Sequence, residues 1–170
     1  TGTLLAADMR GKAKGRWLVG ALTAMLQSNR EAAQLLFAHG AHACTDITGF
    51  GLLGHLVEMI KPSAVDVTLD LDTLPLLDGA LETVAMGILS SLQPENVRLR
   101  RAIRDLERWS AHPVYPLLFD PQTSGGLLGG VAEDKAQACL DALRAAGCDA
   151  AIIGTVAAPD GALEPVSLRG

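Results

Sequence analysis

Trp17, Leu18, Ala21, Leu22, Met25 and Leu26 recur at helical spacing and predict a helix over 15–28. Ser28 and Glu31 have the spacing of a capping box, so a second helix is expected to start there, carry Leu35 and Leu36, and stop near Gly40. Residues 41–46 read as a short extended segment. Residues 49–59 return to helical spacing, with Leu52, Leu53, Leu56 and Met59 on one side. Val65, Val67, Leu69 and Leu71 then alternate with Asp66, Thr68, Asp70 and Asp72, the pattern of a half-buried strand. Residues 76–87 fit a short helix. Pro94 and Glu95 suit a first helical turn and predict a helix reaching Trp109. Apolar runs at 114–119 and 127–131 predict strands. Residues 133–146 predict a helix with Gly147 at its C′ position. A buried strand over 150–156 and a strand at 166–168 that closes the sheet complete the reading. Strands alternate with helices, which places the chain in the α+β or α/β class.

Composition narrows this picture. The chain has 170 residues, of which 49% are hydrophobic and 19% charged. That supports one full-sized core or two small ones and excludes a wholly disordered chain. No apolar run approaches the ~18 residues of a membrane-spanning helix, and no signal-peptide pattern opens the chain. The first residue is Thr1, so a fragment or processed piece is expected. The net charge of −5 and an aromatic content of 4% argue against non-specific nucleic-acid binding. Arg10, Lys12, Lys14 and Arg16 form one basic cluster, with only Asp8 nearby, and are the better candidates to touch an anion. Arg98, Arg100, Arg101, Arg104 and Arg108 form the other. Glu95, Asp105 and Glu107 are interleaved there, as on an ordinary exposed helix face. Cys44, Cys139 and Cys148 make no CxxC pair, which suits a reducing, cytoplasmic setting.

The densest chemical signal is the stretch from His42 to His55. A strand candidate ends in Thr45 and Asp46, a Gly-rich turn follows, and a helix begins. Unpaired N–H groups at a helix start, and glycines that admit a ligand to the backbone, make a phosphate cradle. Asp46 would repel bare phosphates but suits a bridging Mg²⁺ ion. The alternatives are a tight turn with close helix packing, and a dinucleotide fingerprint. The latter is suggested by Gly49-x-Gly51-x-x-Gly54 followed by acids at Asp70 and Asp72. A second polar, Gly-rich loop runs from Asp120 through Gln122, Thr123, Ser124, Gly125 and Gly126. On its residues alone it reads as a turn whose side chains cap backbone. His39, His42 and Cys44 lack a fourth zinc partner, so a buried thiol and a satisfied histidine are expected on one strand face. No residue stands out as a nucleophile, and no catalytic residue is assigned.

The segment Thr45-Asp46-Ile47-Thr48-Gly49-Phe50-Gly51-Leu52-Leu53-Gly54-His55-Leu56 closely resembles a signature of the selenophosphate synthetase (selenide, water dikinase) family. The segment from Asp120 to Leu128, DPQTSGGLL, resembles the family's second hallmark, in the same order and about 70 residues further on. Thr1-Gly2-Thr3 is similar to the tail of the family's domain-boundary segment. The resemblance covers nearly the whole chain and maps onto the family's C-terminal domain. It implies an α+β fold, with a mixed sheet packed by helices and a partly ferredoxin-like arrangement. That fold is shared with aminoimidazole ribonucleotide synthetase and its relatives.

It also implies that residues 1–170 are a single C-terminal domain, and that the N-terminal ATP-binding domain, with its catalytic Cys or selenocysteine, is not among them. The implied reaction takes ATP, selenide and water to selenophosphate, AMP and phosphate, with Mg²⁺ as cofactor. On this resemblance Asp46 is a Mg²⁺ ligand, and Thr45, Thr48, Gly49 and Gly51 shape its loop. Thr123, Ser124, Gly125 and Gly126 of the second motif join the same nucleotide site. The implied partners are the chain's own N-terminal domain, a second copy in a full-length homodimer, and in some members a fused NADH dehydrogenase-like flavoprotein. Neither a nucleic acid nor a membrane span is expected. Another ATP-dependent synthetase or kinase of the superfamily, or a non-catalytic packing or dimerisation module, remains the alternative.

Overall fold

A computed structural model describes all residues from Thr1 to Gly170. In chain order the elements are α1 (Gly2–Met9), α2 (Gly15–Leu26), α3 (Arg30–Ala38), β1 (Ala43–Asp46), α4 (Gly51–Ser63), β2 (Asp66–Asp70), α5 (Ala80–Ala85), α6 (Gln93–Asn96), α7 (Leu106–Trp109), β3 (Leu127–Gly130), α8 (Glu133–Ala145), β4 (Gly154–Ala157) and β5 (Val166–Arg169). The fold is α+β. It holds two small sheets: an antiparallel β1–β3 ladder and a three-stranded sheet in the order β4–β2–β5. The second is mixed, because β2 runs antiparallel to β4 and parallel to β5.

Helix α4 ties the sheets together. Its Leu53, Leu56, Val57 and Ile60 are buried in one core with Val67 and Leu69 of β2, Val166 and Leu168 of β5, and Leu128 of β3. Burying such side chains is the main favourable term in folding, at about 1.5–3 kcal/mol each. Leu71, just beyond β2, and the 3₁₀ residues Leu118 and Phe119 complete this core. A second, smaller cluster forms around Leu4, Trp17 and Ala21, where α1 meets α2.

Several expectations from the sequence are corrected. The Gly2–Met9 helix was not foreseen: its apolar residues sit beside Thr1, Gly2 and Thr3, which read as boundary rather than helix. Asn29, not Ser28, holds the N-cap position of α3. Ser28 Oγ accepts only from Arg30 N–H, so the capping box does not form. The helix expected over 94–109 is broken into α6, a 3₁₀ stretch (Val97–Ala102) and α7. Asp105 has φ of 49°, Ile103 bridges to Val166, and Arg104 turns away to bond Asp66 and Asp160. The second basic cluster is therefore not one exposed helix face. Only Arg98 makes the expected helical pair, with Glu95.

The strand expected over 114–119 is a 3₁₀ turn, Tyr115–Phe119, with Pro116 in its first turn. Its carbonyls find side chains rather than a neighbouring strand: Gln93 donates to Pro116 O and Asn96 to Phe119 O. The strand expected over 150–156 is confined to Gly154–Ala157 and lies at a sheet edge with mostly exposed residues. Val166–Arg169 does join the sheet, beside β2. The helix over 133–145 and Gly147, with φ of 79°, follow the sequence reading.

Candidate functional site

The two motifs distant in sequence are folded against each other. Thr45 and Asp46 at the end of β1 pair with Leu128 and Leu127 of β3, so the first motif begins where the second ends. Ile47 N–H donates to Gly126 O at 2.9 Å, and Gln122 N–H donates to Thr48 O at 2.9 Å. Two glycines make this approach possible. A Cβ on Gly51 would stand 2.9–3.1 Å from the Leu118–Asp120 backbone, and its φ of 71° already disfavours a side chain. A Cβ on Gly125 would fall on Ile47 O, at 2.1 Å. Two asparagines clasp the loops from outside. Asn96 Nδ2 donates to Gly49 O (2.8 Å) and Phe119 O (3.0 Å), and Asn29 Nδ2 donates to Gly125 O (2.8 Å).

Asp46 is exposed at the tip of β1, and its carboxylate takes part in no hydrogen bond or ion pair within the chain. Thr45 is half-buried, with its hydroxyl donating to Asp46 O at 3.2 Å. Thr48 is tied to His55: its N–H and Oγ1 lie 3.0 and 3.1 Å from His55 Nε2. Gly49 is exposed, and α4 starts after Phe50 with no side-chain cap. In the second loop Thr123, Ser124 and Gly126 are exposed and Gly125 is half-buried; Ser124 has φ of 46°. Thr123 N–H donates to Thr1 Oγ1 at 2.9 Å.

The second motif's acid has a different employment. Asp120 is 2% exposed. It receives Thr3 N–H at 2.8 Å, Thr3 Oγ1 at 2.7 Å and the Thr1 nitrogen at 3.1 Å, and so caps the start of α1. Gly2 N–H also donates to Pro121 O, at 3.0 Å.

His42, Cys44 and Asp46 lie along one face of the strand, as the alternation requires, but that face is exposed. The expected buried thiol and satisfied histidine are therefore corrected. The Cys44 sulfur is nonetheless partly covered. That desolvation, and then the Asp46 charge, push its thiol above the usual range. In the basic cluster near the N-terminus, Arg16 pairs with Asp78 and Lys14 lies over the Trp17 ring.

The dinucleotide reading is overturned by topology. A dinucleotide fold needs the strands on either side of the glycine-led helix to run parallel in one sheet. Here β1 and β2 lie in different sheets. Asp70 is occupied by Arg169 and by Asp72 N–H. As for a metal, no three His, Cys, Asp or Glu side chains converge to hold one. Asp46 alone fits Mg²⁺ in the limited sense that this ion uses one or two carboxylates and otherwise waters and phosphates. Three residues that shape the loops were not assigned from sequence: Asn29, Asn96 and His55. His55 lies inside the first motif, but nothing in the pattern around Asn29 or Asn96 marks either as a clasp.

Residues 6–164 match the family described as AIR synthase related protein, C-terminal domain. The chain belongs to this family. Among its relatives are selenide, water dikinases, as the resemblance of the two motifs implied. It is 38% identical over 155 residues to the selenide, water dikinase of Pelobacter propionicus, covering 91% of this chain and 44% of the relative. To that of Myxococcus xanthus it is 36% identical over 168 residues, covering 93% and 46%. To that of Caldanaerobacter subterraneus it is 42% identical over 117 residues, covering 69% and 34%. The chain thus spans less than half the length of these curated relatives. No helix is long and apolar enough to cross a membrane.

Proposed function

We propose that this chain is the C-terminal domain of a selenide, water dikinase and supplies one wall of its Mg-ATP site. In this reading the full-length protein converts ATP, selenide and water to selenophosphate, AMP and phosphate in the cytoplasm. The observation that carries it is the convergence of the two motif loops on an exposed carboxylate, Asp46, for which the fold has no other use. Bound Mg²⁺ would neutralise phosphate charge during phosphoryl transfer. Asp46 would provide one ligand oxygen. Thr45, Thr48, Gly49 and Gly51 would keep the approach to it narrow and free of bulk, and Thr123, Ser124, Gly125 and Gly126 would flank it.

In this reading the remaining ligands, the nucleophile and most of the nucleotide contacts would come from an N-terminal domain. In this reading the full-length protein is a homodimer, and a fused NADH dehydrogenase-like flavoprotein is a further candidate partner. Residues 1–170 alone are expected to bind Mg-ATP weakly or undetectably by calorimetry.

The test is AMP release from Mg-ATP by the full-length protein. AMP formed only when selenide is present supports the dikinase. ADP as product, or no dependence on selenide, moves the chain to another ATP-dependent branch of the superfamily. Asp46→Asn should nearly abolish turnover while the thermal unfolding midpoint stays at the parental value. Parental turnover in that variant removes Asp46 from the metal.

A further inference from the structure

We infer that His55 is a positioning residue: as hydrogen-bond acceptor for Thr48, it holds the backbone that follows Asp46 and so sets the direction of the Asp46 carboxylate. The inference rests on the reading of Asp46 as a Mg²⁺ ligand.

The side chain of His55 is 8% exposed. It sits in the second turn of α4, with the Phe50 ring 5.7 Å away, centroid to centroid. Gly54 makes room for that arrangement, since a Cβ there would meet Phe50 Cβ at 2.5 Å. His55 Nε2 is 3.0 Å from Thr48 N and 3.1 Å from Thr48 Oγ1. A backbone N–H can only donate, so Nε2 must present its lone pair, and the neutral ring carries its proton on Nδ1. Nδ1 is buried without a hydrogen-bond partner. The carboxylate nearest to it is Glu58, with Oε2 3.4 Å away, on an exposed side chain.

Packing alone does not account for such a residue. A leucine would fill apolar space without leaving a buried polar atom idle. What the imidazole adds is at Thr48. The Thr48 peptide is held from both ends: its N–H by His55, and its carbonyl by Gly51 N–H (3.1 Å) and Gln122 N–H (2.9 Å). One side of that grip comes from α4 and the other from the second motif. Asp46 lies two residues upstream, where the β1 ladder ends. Between the ladder and the Thr48 grip only Ile47 remains, and its N–H is bonded to Gly126 O. The carboxylate therefore projects from backbone fixed on both sides.

The full-length protein tests this. In the metal-free protein, long-range ¹H–¹⁵N NMR of the His55 ring is expected to show an unprotonated Nε2 and a protonated Nδ1. His55→Phe keeps a planar ring and removes the acceptor; His55→Gln returns an acceptor near the Nε2 position. His55→Phe is expected to raise the Mg²⁺ concentration for half-maximal turnover by about tenfold, the scale seen when a group supporting a metal ligand is lost. It should also speed hydrogen exchange at the Thr48 amide, with kcat at saturating Mg²⁺ close to the parental value. His55→Gln should recover most of the Mg²⁺ shift.

A ring protonated on Nε2 overturns the inference. So does an unchanged Mg²⁺ requirement and Thr48 exchange in His55→Phe, when Asp46→Asn is inactive. Parental turnover in Asp46→Asn instead overturns the underlying reading, and the role of His55 falls with it. If His55→Phe does not fold, the ring tautomer and His55→Gln decide. Near-parental Mg²⁺ dependence in His55→Gln with an unprotonated Nε2 supports the inference, and a tenfold loss in His55→Gln overturns it.

Discussion

Asp46 and Asp120 are each the acid of a Gly-rich motif, and the fold treats them in opposite ways. Asp120 is buried, and its oxygens receive Thr3 N–H, Thr3 Oγ1 and the Thr1 nitrogen. Asp46 is exposed and accepts nothing. A carboxylate with several hydrogen-bond donors is part of the architecture; one on a rigid, glycine-lined tip with none is available for a ligand. Within each loop the glycines divide in the same way. Gly51 and Gly125 are glycines because another backbone passes where a side chain would be. Gly49 and Gly126 meet nothing there and leave open space on the surface of the two loops. The acids of two motifs of similar appearance thus divide into one that builds the fold and one that the fold presents.

This contrast breaks most sharply on activity. Asp46→Asn should remove nearly all turnover of the full-length protein and leave its stability unchanged. Asp120→Ala should do the reverse in kind. It strands buried donors at the start of α1, at a cost of about 2–4 kcal/mol, read as a lower urea midpoint. An Asp120→Ala protein as stable as the parent would erase the distinction between the two acids.

Asp160 gives an intermediate case, a paired acid at the surface. Arg104 hydrogen-bonds it, and Ala162 N–H adds to this, so its carboxyl is held below the usual range. A depressed carboxyl stabilises the fold above its unfolded-state value and loses that contribution as pH falls through the folded one. The 158–165 loop should therefore loosen only in acid below the ordinary carboxylate range. Arg104→Gln should move that loosening to higher pH, followed by hydrogen exchange at the Asp160 and Ala162 amides. Loosening at the same pH in both proteins would show that Arg104 does not hold the loop. The smallest effect is at Cys44. Desolvation first, and the Asp46 charge second, keep its thiolate scarce at neutral pH. Asp46→Asn removes only the second cause, so iodoacetamide should alkylate Cys44 modestly faster. An unchanged rate would mean that Asp46 is not a free negative charge.

Elements with a regular period were legible from sequence. The α2, α4 and α8 helices and the β2 strand lie close to where apolar spacing puts them, because each buries one face over several turns or pleats. The 93–119 region was not legible. It has helical and strand-like apolar runs, yet its backbone follows side-chain hydrogen bonds from Gln93, Asn96 and Arg104 that no local pattern announces. At the site, Asp46 and the glycines were visible as a motif. The exposure of His42 and Cys44 was not, because alternation fixes which residues share a face but not which face the core takes. Asn29 and Asn96 act on carbonyls far along the chain, Gly125 and Gly49, and their partners exist only in three dimensions.

The Gly126–Ile47 and Gln122–Thr48 backbone bonds have a consequence for how the chain folds. Each closes a loop of more than 70 residues, and such contacts are rewarded only after the entropy of closing that loop is met. The Asp46 tip cannot mature as an autonomous hairpin or helix–turn unit. During synthesis it remains unformed until the DPQTSGG segment has emerged and docked. Its appearance is then tied to the step in which β3 joins β1, so the Asp46 tip and the β1–β3 ladder arise together.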